Sequence, residues 1–87
     1  MPPILEIYIA SGCPSCRSAR RLARVVKERL PEVRVRLIDL SDPGVSRPKM
    51  VFAVPTYLLN GKTYSLGNPG EAKLMGDLEE TIGRQAW

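Results

Sequence analysis

Apolar and polar positions alternate along this chain with two different periods, and the changes of period mark out its elements. Ile4-Leu5-Glu6-Ile7-Tyr8-Ile9-Ala10 is a nearly continuous apolar run of strand length, which predicts a buried strand, and Ser11-Gly12 follows as a turn. From Cys13 to Leu30 the spacing becomes helical. Ala19, Leu22, Ala23, Val26 and Leu30 fall on one stripe, arginines occupy the other side, and Pro31 ends the run. Val33, Val35 and Leu37 then alternate with Arg34 and Arg36, the period of a half-buried strand and a composition suited to a sheet edge. A strand, a helix and a second strand of these lengths form a βαβ unit, so the two strands are expected to run parallel.

Asp42-Pro43-Gly44 turns the chain. The stretch from Val45 to Phe52 has no clear period and leaves room for at most one short helix between Pro48 and Ala53. The second half reads more plainly. Thr56–Leu59 and Lys62–Leu66 flank Asn60-Gly61, the preferred pair for a two-residue type I′ hairpin. Asn68, Pro69 and Glu71 have the spacing of a helix cap, a first helical position and a capping-box acid. Leu74, Met75, Leu78 and Ile82 supply the apolar face of a last helix expected to end at Gly83. The predicted order is therefore β-α-β, a connector, then β-β-α, with no repeat or linker, in a single domain spanning 1–87.

Chemistry enters with Cys13-Pro14-Ser15-Cys16, which holds the only two cysteines and stands where the first helix should begin. Pro14 suits the first helical position, where its missing N–H costs nothing. Cys13 is then expected at the N-cap, its sulfur facing the free N–H groups of the first turn. Those donors and the helix dipole favour a thiolate, which makes Cys13 the expected nucleophile. Cys16, one turn further in, is close enough to close a disulfide and more shielded. Ser15 is expected to satisfy an N–H at the helix start, since the chain has no histidine to activate its hydroxyl. Strand, turn and CxxC-headed helix together suggest thiol–disulfide exchange.

Composition narrows this further. No apolar run approaches the ~20 residues of a membrane span, and no basic segment followed by an apolar one opens the chain. A cytoplasmic location and no membrane partner are therefore expected. In that compartment a lone CxxC is catalytic or metal-binding rather than a structural staple. The formal net charge is +4, concentrated in residues 17–36, where eight basic groups face only Glu28 and Glu32. Nucleic acid is not the expected partner, because the aromatics are not interleaved with the arginines as a stacking platform requires. Arg17, next to Cys16, is better placed to favour thiolate or to steer acidic partners.

With Val54-Pro55-Thr56 directly before the hairpin, the chain resembles the thioredoxin-fold disulfide oxidoreductases, above all the small glutaredoxins and short glutaredoxin-like thioredoxins. The likeness covers nearly the whole chain. It rests on Tyr8-Ile9-Ala10, Cys13-Pro14-Ser15-Cys16, Ala53-Val54-Pro55-Thr56, Asn60-Gly61 and the glycines at 67 and 70. It implies an α/β thioredoxin-like (glutaredoxin-type) fold, with a four-stranded mixed sheet flanked by helices. It also implies a cis bond before Pro55 and an extended substrate segment on the backbone of Val54. Pro14, Val54, Pro55, Thr56, Gly67 and Asn68 are the expected substrate-binding residues, and Cys13 and Cys16 the catalytic pair.

The implied activity is that of a monomeric protein-disulfide reductase or electron carrier with no cofactor beyond its own disulfide. Its partners would be protein disulfides and an upstream reductase, either thioredoxin-reductase-like or the glutathione system. Glutathione itself is disfavoured, because Ala10-Ser11-Gly12 offers no basic residue before Cys13 and Gly67-Asn68-Pro69-Gly70 replaces the paired-glycine motif. The buried acid common on the first strand of thioredoxins is also missing, its place taken by Ile7, and Glu6 should point to the opposite face. The competing reading is a metal or [2Fe–2S] site shared through a dimer, since two cysteines alone cannot complete a tetrahedral centre.

Overall fold

The computed structural model describes residues 2–85. Strands β1 (Ile4–Ile9), β2 (Arg34–Asp39), β3 (Thr56–Leu59) and β4 (Lys62–Leu66) form one sheet in the order β2-β1-β3-β4. Helix α1 (Cys16–Arg29) lies between β1 and β2, and helix α2 (Glu71–Gln85) follows β4. β1 pairs parallel with β2 and antiparallel with β3, and β3 pairs antiparallel with β4, so the sheet is mixed and β2 stands at an edge as expected.

Alternation on β1 explains the layering. Leu5, Ile7 and Ile9 share one face and join Ala19, Leu22, Ala23 and Val26 of α1, Tyr57 of β3, and Leu74, Met75 and Leu78 of α2 in a single core. Both helices therefore cover the same face. Tyr8 and Leu58 point to the other, where Val51 packs on them and Ile38 and Leu40 border the cluster. Among the described residues no helix covers that side: residues 40–53 cross it as irregular chain, and the room for one short helix between Pro48 and Ala53 is taken by a turn closed by Val51 N–H on the Pro48 carbonyl at 3.0 Å. With nothing but Val51 buried along it, that stretch lacks an apolar stripe on which a helix could pack.

The Asn60-Gly61 turn has φ of 52° and 82°, both positive as a type I′ hairpin demands. Asn60 also receives the Ile4 N–H on its side-chain oxygen at 2.9 Å and donates its own N–H to the Ile4 carbonyl at 2.9 Å, which ties the turn to β1. Gly61→Ala should therefore cost about 1–2 kcal/mol. A fall of thermal midpoint by roughly 4–8 °C per kcal/mol would register it; an unchanged midpoint would show that the turn does not fix the register.

Between Tyr57 and Leu58 the β3–β4 register shifts, since Tyr57 opposes Ser65 while Leu58 opposes Thr63. Tyr64 is the extra residue, and such bulges re-aim a side chain. Its hydroxyl donates to Asp77 of α2 at 2.5 Å, and Lys73 reaches the same carboxylate at 3.0 Å. The bond from Tyr64, then that from Lys73, holds the Asp77 carboxyl below its ordinary pKa.

Three expected element boundaries are corrected. α1 begins at Cys16 rather than Cys13; Pro14 and Ser15 form a tighter lead-in turn closed by the Cys16 N–H on the Cys13 carbonyl at 3.1 Å. Ser15 is the capping residue, in helical conformation, yet its side chain makes no cap hydrogen bond. α2 begins at Glu71 and its first helical bond runs from Leu74 N–H to the Gly70 carbonyl at 2.9 Å, so Asn68 is not its cap. The capping box fails because both of its side chains find better partners elsewhere. Asn68 turns toward Tyr57 and Ser15, and Glu71 pairs with Arg21 at 2.9 Å and Arg29 at 3.5 Å. Finally, α2 passes through Gly83 to Gln85.

Candidate active site

The two cysteines are joined as a disulfide across a Cα–Cα distance of 5.3 Å, well inside the range such bonds require. Cys16 is 3% exposed and belongs to the core, whereas Cys13 is half-buried at its margin. The pair is therefore asymmetric, with one sulfur near the surface and one behind it. α1 has no acidic residue in its first turn, and exposed Arg17 follows Cys16 directly. The positive end of the helix dipole is left unneutralised beside the cysteines, where a thiolate formed on reduction would be stabilised.

Two straps hold this turn. On its N-terminal side, the Ser11 N–H donates to the Ser41 hydroxyl at 2.7 Å, and Ser41 N–H donates to the Asp39 carboxylate at 2.8 Å. On the other side, the Asn68 side-chain amide donates to the Ser15 carbonyl at 2.9 Å and accepts the Tyr57 hydroxyl at 2.7 Å. Burial pushes the Tyr57 phenol up to about 12, so it remains a donor to Asn68 across the ordinary pH range.

The Val54–Pro55 bond is cis, as the resemblance implied. Pro55 is buried, and its carbonyl accepts the Gly67 N–H at 2.8 Å. Gly67 has φ of 89°. Thr56 is fully buried with its hydroxyl donating to the Ala53 carbonyl at 2.6 Å. Val54 is half-buried and packs, like Cys13, against the main core; its backbone N–H and C=O take no part in the hydrogen bonds of the described residues. Pro14 is exposed. The expected site residues are thus linked through one dipeptide, Gly67-Asn68, which bonds the Pro55 carbonyl with one residue and the cysteine turn with the next. Ser11, Ser41 and Tyr57 were not foreseen as contributors. Ser11 and Ser41 stand 30 positions apart, and no local motif signals their contact.

Ile7 is fully buried in the core, and Glu6 faces the other side, where it lies 4.0 Å from Arg36. Arg20, Arg21 and Arg29 have acidic neighbours, whereas Arg17, Arg24 and Lys27 have none within 4.0 Å among the described residues. No group of three or more His, Cys, Asp or Glu side chains among the described residues could hold a metal ion.

No protein-family model matches the chain. A thioredoxin of Methanocaldococcus jannaschii is 26% identical over 80 residues, which are 90% of this chain and 94% of that protein. Thioredoxin O2 from Arabidopsis thaliana, in its oxidized state, superimposes with a TM-score of 0.71 at 21% identity, covering 91% of this chain and 74% of its own. The thioredoxin of Fasciola hepatica does so with a TM-score of 0.70 at 22% identity, covering 91% of this chain and 80% of its own. The fold is that of thioredoxin. With its closed Cys13–Cys16 pair at the head of α1, the protein is a thioredoxin-fold thiol–disulfide oxidoreductase.

Proposed function

We propose that this protein is a cytoplasmic, monomeric, glutaredoxin-like thioredoxin that reduces protein disulfides or carries electrons to them. The observation that carries the assignment of roles is the unequal shielding of the pair, Cys13 at the margin and Cys16 at 3% exposure. Cys13, as thiolate, attacks one sulfur of a substrate disulfide and forms a mixed disulfide, releasing the first substrate thiolate. Cys16 then attacks the Cys13 sulfur, releases the second substrate thiolate and closes the Cys13–Cys16 bond. Two electrons pass to the substrate, and an upstream reductase returns two electrons and two protons.

Val54 offers its unengaged N–H and C=O to an extended substrate segment, a local form of strand addition. Pro14, Pro55 and the 67–68 dipeptide border that platform. The upstream reductase is thioredoxin-reductase-like or the glutathione system, with glutathione disfavoured because no basic residue precedes Cys13.

The test is an equilibrium titration in thiol–disulfide buffers, read by alkylation and mass after a quench. One reversible two-electron transition at roughly −200 to −300 mV is expected of a cytosolic reductase. A much higher potential would make the protein an oxidant or isomerase. Failure to form any reversible disulfide would overturn the redox assignment and favour thiolate-bound metal.

A further inference from the structure

Asn68 lies outside the cysteine motif, yet it is the side chain that joins that motif to the sheet. Its amide N–H donates to the Ser15 carbonyl at 2.9 Å, and its oxygen accepts the Tyr57 hydroxyl at 2.7 Å. Tyr57 is fully buried in the core, so the far end of this link is anchored. Ser15 sits between the two cysteines, and its carbonyl also accepts the Ala19 N–H at 3.3 Å. Because the peptide is planar and trans, the direction of the Ser15 carbonyl fixes the opposite direction of the Cys16 N–H. That N–H is the one closing the turn onto Cys13 at 3.1 Å.

We propose that Asn68 is a positioning residue for the Cys13–Cys16 couple, holding the turn in its closed geometry once the disulfide has opened. In the oxidised protein the S–S bond itself constrains residues 13–16. In the dithiol that tie is gone, and the remaining constraints are non-covalent: the Cys16–Cys13 turn bond, Ser41 on Ser11, and Asn68 on Ser15. The oxidised protein holds that geometry throughout, whereas the dithiol can leave it, so Asn68 stabilises the oxidised form more than the reduced one and keeps the thiols poised to close. Its loss should shift the couple toward dithiol and make the protein a weaker reductant.

The inference rests on the redox reading above and is tested in a dithiothreitol buffer. There the Cys13–Cys16 disulfide takes two electrons and two protons from reduced dithiothreitol, giving two thiols and the cyclic dithiothreitol disulfide. For Asn68→Ala we expect the equilibrium to move toward protein dithiol by about three- to tenfold, the range spanned by one hydrogen bond, or about 14 to 30 mV. Asn68→Asp keeps the acceptor for Tyr57 but removes the donor to Ser15, and should shift at least as far. Tyr57→Phe, which loosens only the anchor, should shift about twofold.

Thermal unfolding of both redox forms separates positioning from simple bracing: Asn68→Ala should lower the midpoint of the oxidised form more than that of the reduced form. Equal losses in the two forms, with both Asn68 variants retaining the wild-type equilibrium constant, would overturn the proposal and leave the redox reading intact. If wild-type protein shows no reversible equilibrium, the redox reading falls and this one with it.

Discussion

Cys13→Ser is expected to abolish turnover of a disulfide-bonded protein substrate, by at least about 1,000-fold, because no other group can take over the first attack. The serine hydroxyl has no neighbouring histidine to activate it, since the chain contains none. Cys16→Ser should lose multiple turnover just as fully, but for a different reason and with a different residue of chemistry behind it. Its Cys13 still attacks, and the reaction stops at the mixed disulfide because the shielded partner that should resolve it is missing. Intact mass after a single encounter distinguishes the two: an adduct on Cys16→Ser and none on Cys13→Ser. The reverse pattern would exchange the roles, and adducts on both would show that the difference in shielding between the cysteines does not decide which one reacts.

The second large effect falls on stability. Tyr57→Ala should cost about 3–5 kcal/mol, the usual range for emptying a fully buried aromatic site. A domain of this size is stable by only about 4–13 kcal/mol, so the variant loses much of its margin. The site has few ways to collapse, because Tyr57 lies among β1, α1 and α2 residues of one core. Tyr57→Phe keeps the ring and loses only the hydroxyl on Asn68, which is worth about 1 kcal/mol. Denaturant midpoints at constant slope measure both. A Tyr57→Ala protein within 1 kcal/mol of wild type would mean that the core repacks around the gap.

What the sequence made legible were features whose cause is local. Asn60-Gly61 announces its turn because only residues tolerant of positive φ can occupy both positions. Arg34 and Arg36 mark β2 as an edge because charges alternating with apolar residues suit a strand paired on one side. The cis bond before Pro55 was expected from resemblance and not from the residues themselves. What stayed hidden depends on contacts across the fold. Asn68 reads locally as a helix cap, but its partners are 11 and 53 positions away, and two tertiary bonds outweigh one local one. Glu71 reads as the acid of the same cap, yet two arginines of α1 draw it off. The start of α1 moved because a turn closed by an i+3 bond around the disulfide replaces the expected first α-helical turn. Residues 40–53 carry no period because they cover the sheet with two side chains rather than a stripe.

The bulge at Tyr64 has an effect at high protein concentration. A sheet with open borders offers its unpaired N–H and C=O groups to any second copy, and an unbroken border strand is the template on which fibrils and precipitates grow. β4 is one border here, and the register jump between Thr63 and Ser65 breaks its outer row of donors and acceptors in the middle. At the opposite border, exposed Arg34 and Arg36 would meet their own like charges in an approaching copy. The distortion that brings Tyr64 onto α2 thus also makes the sheet a poor seed for its own aggregation.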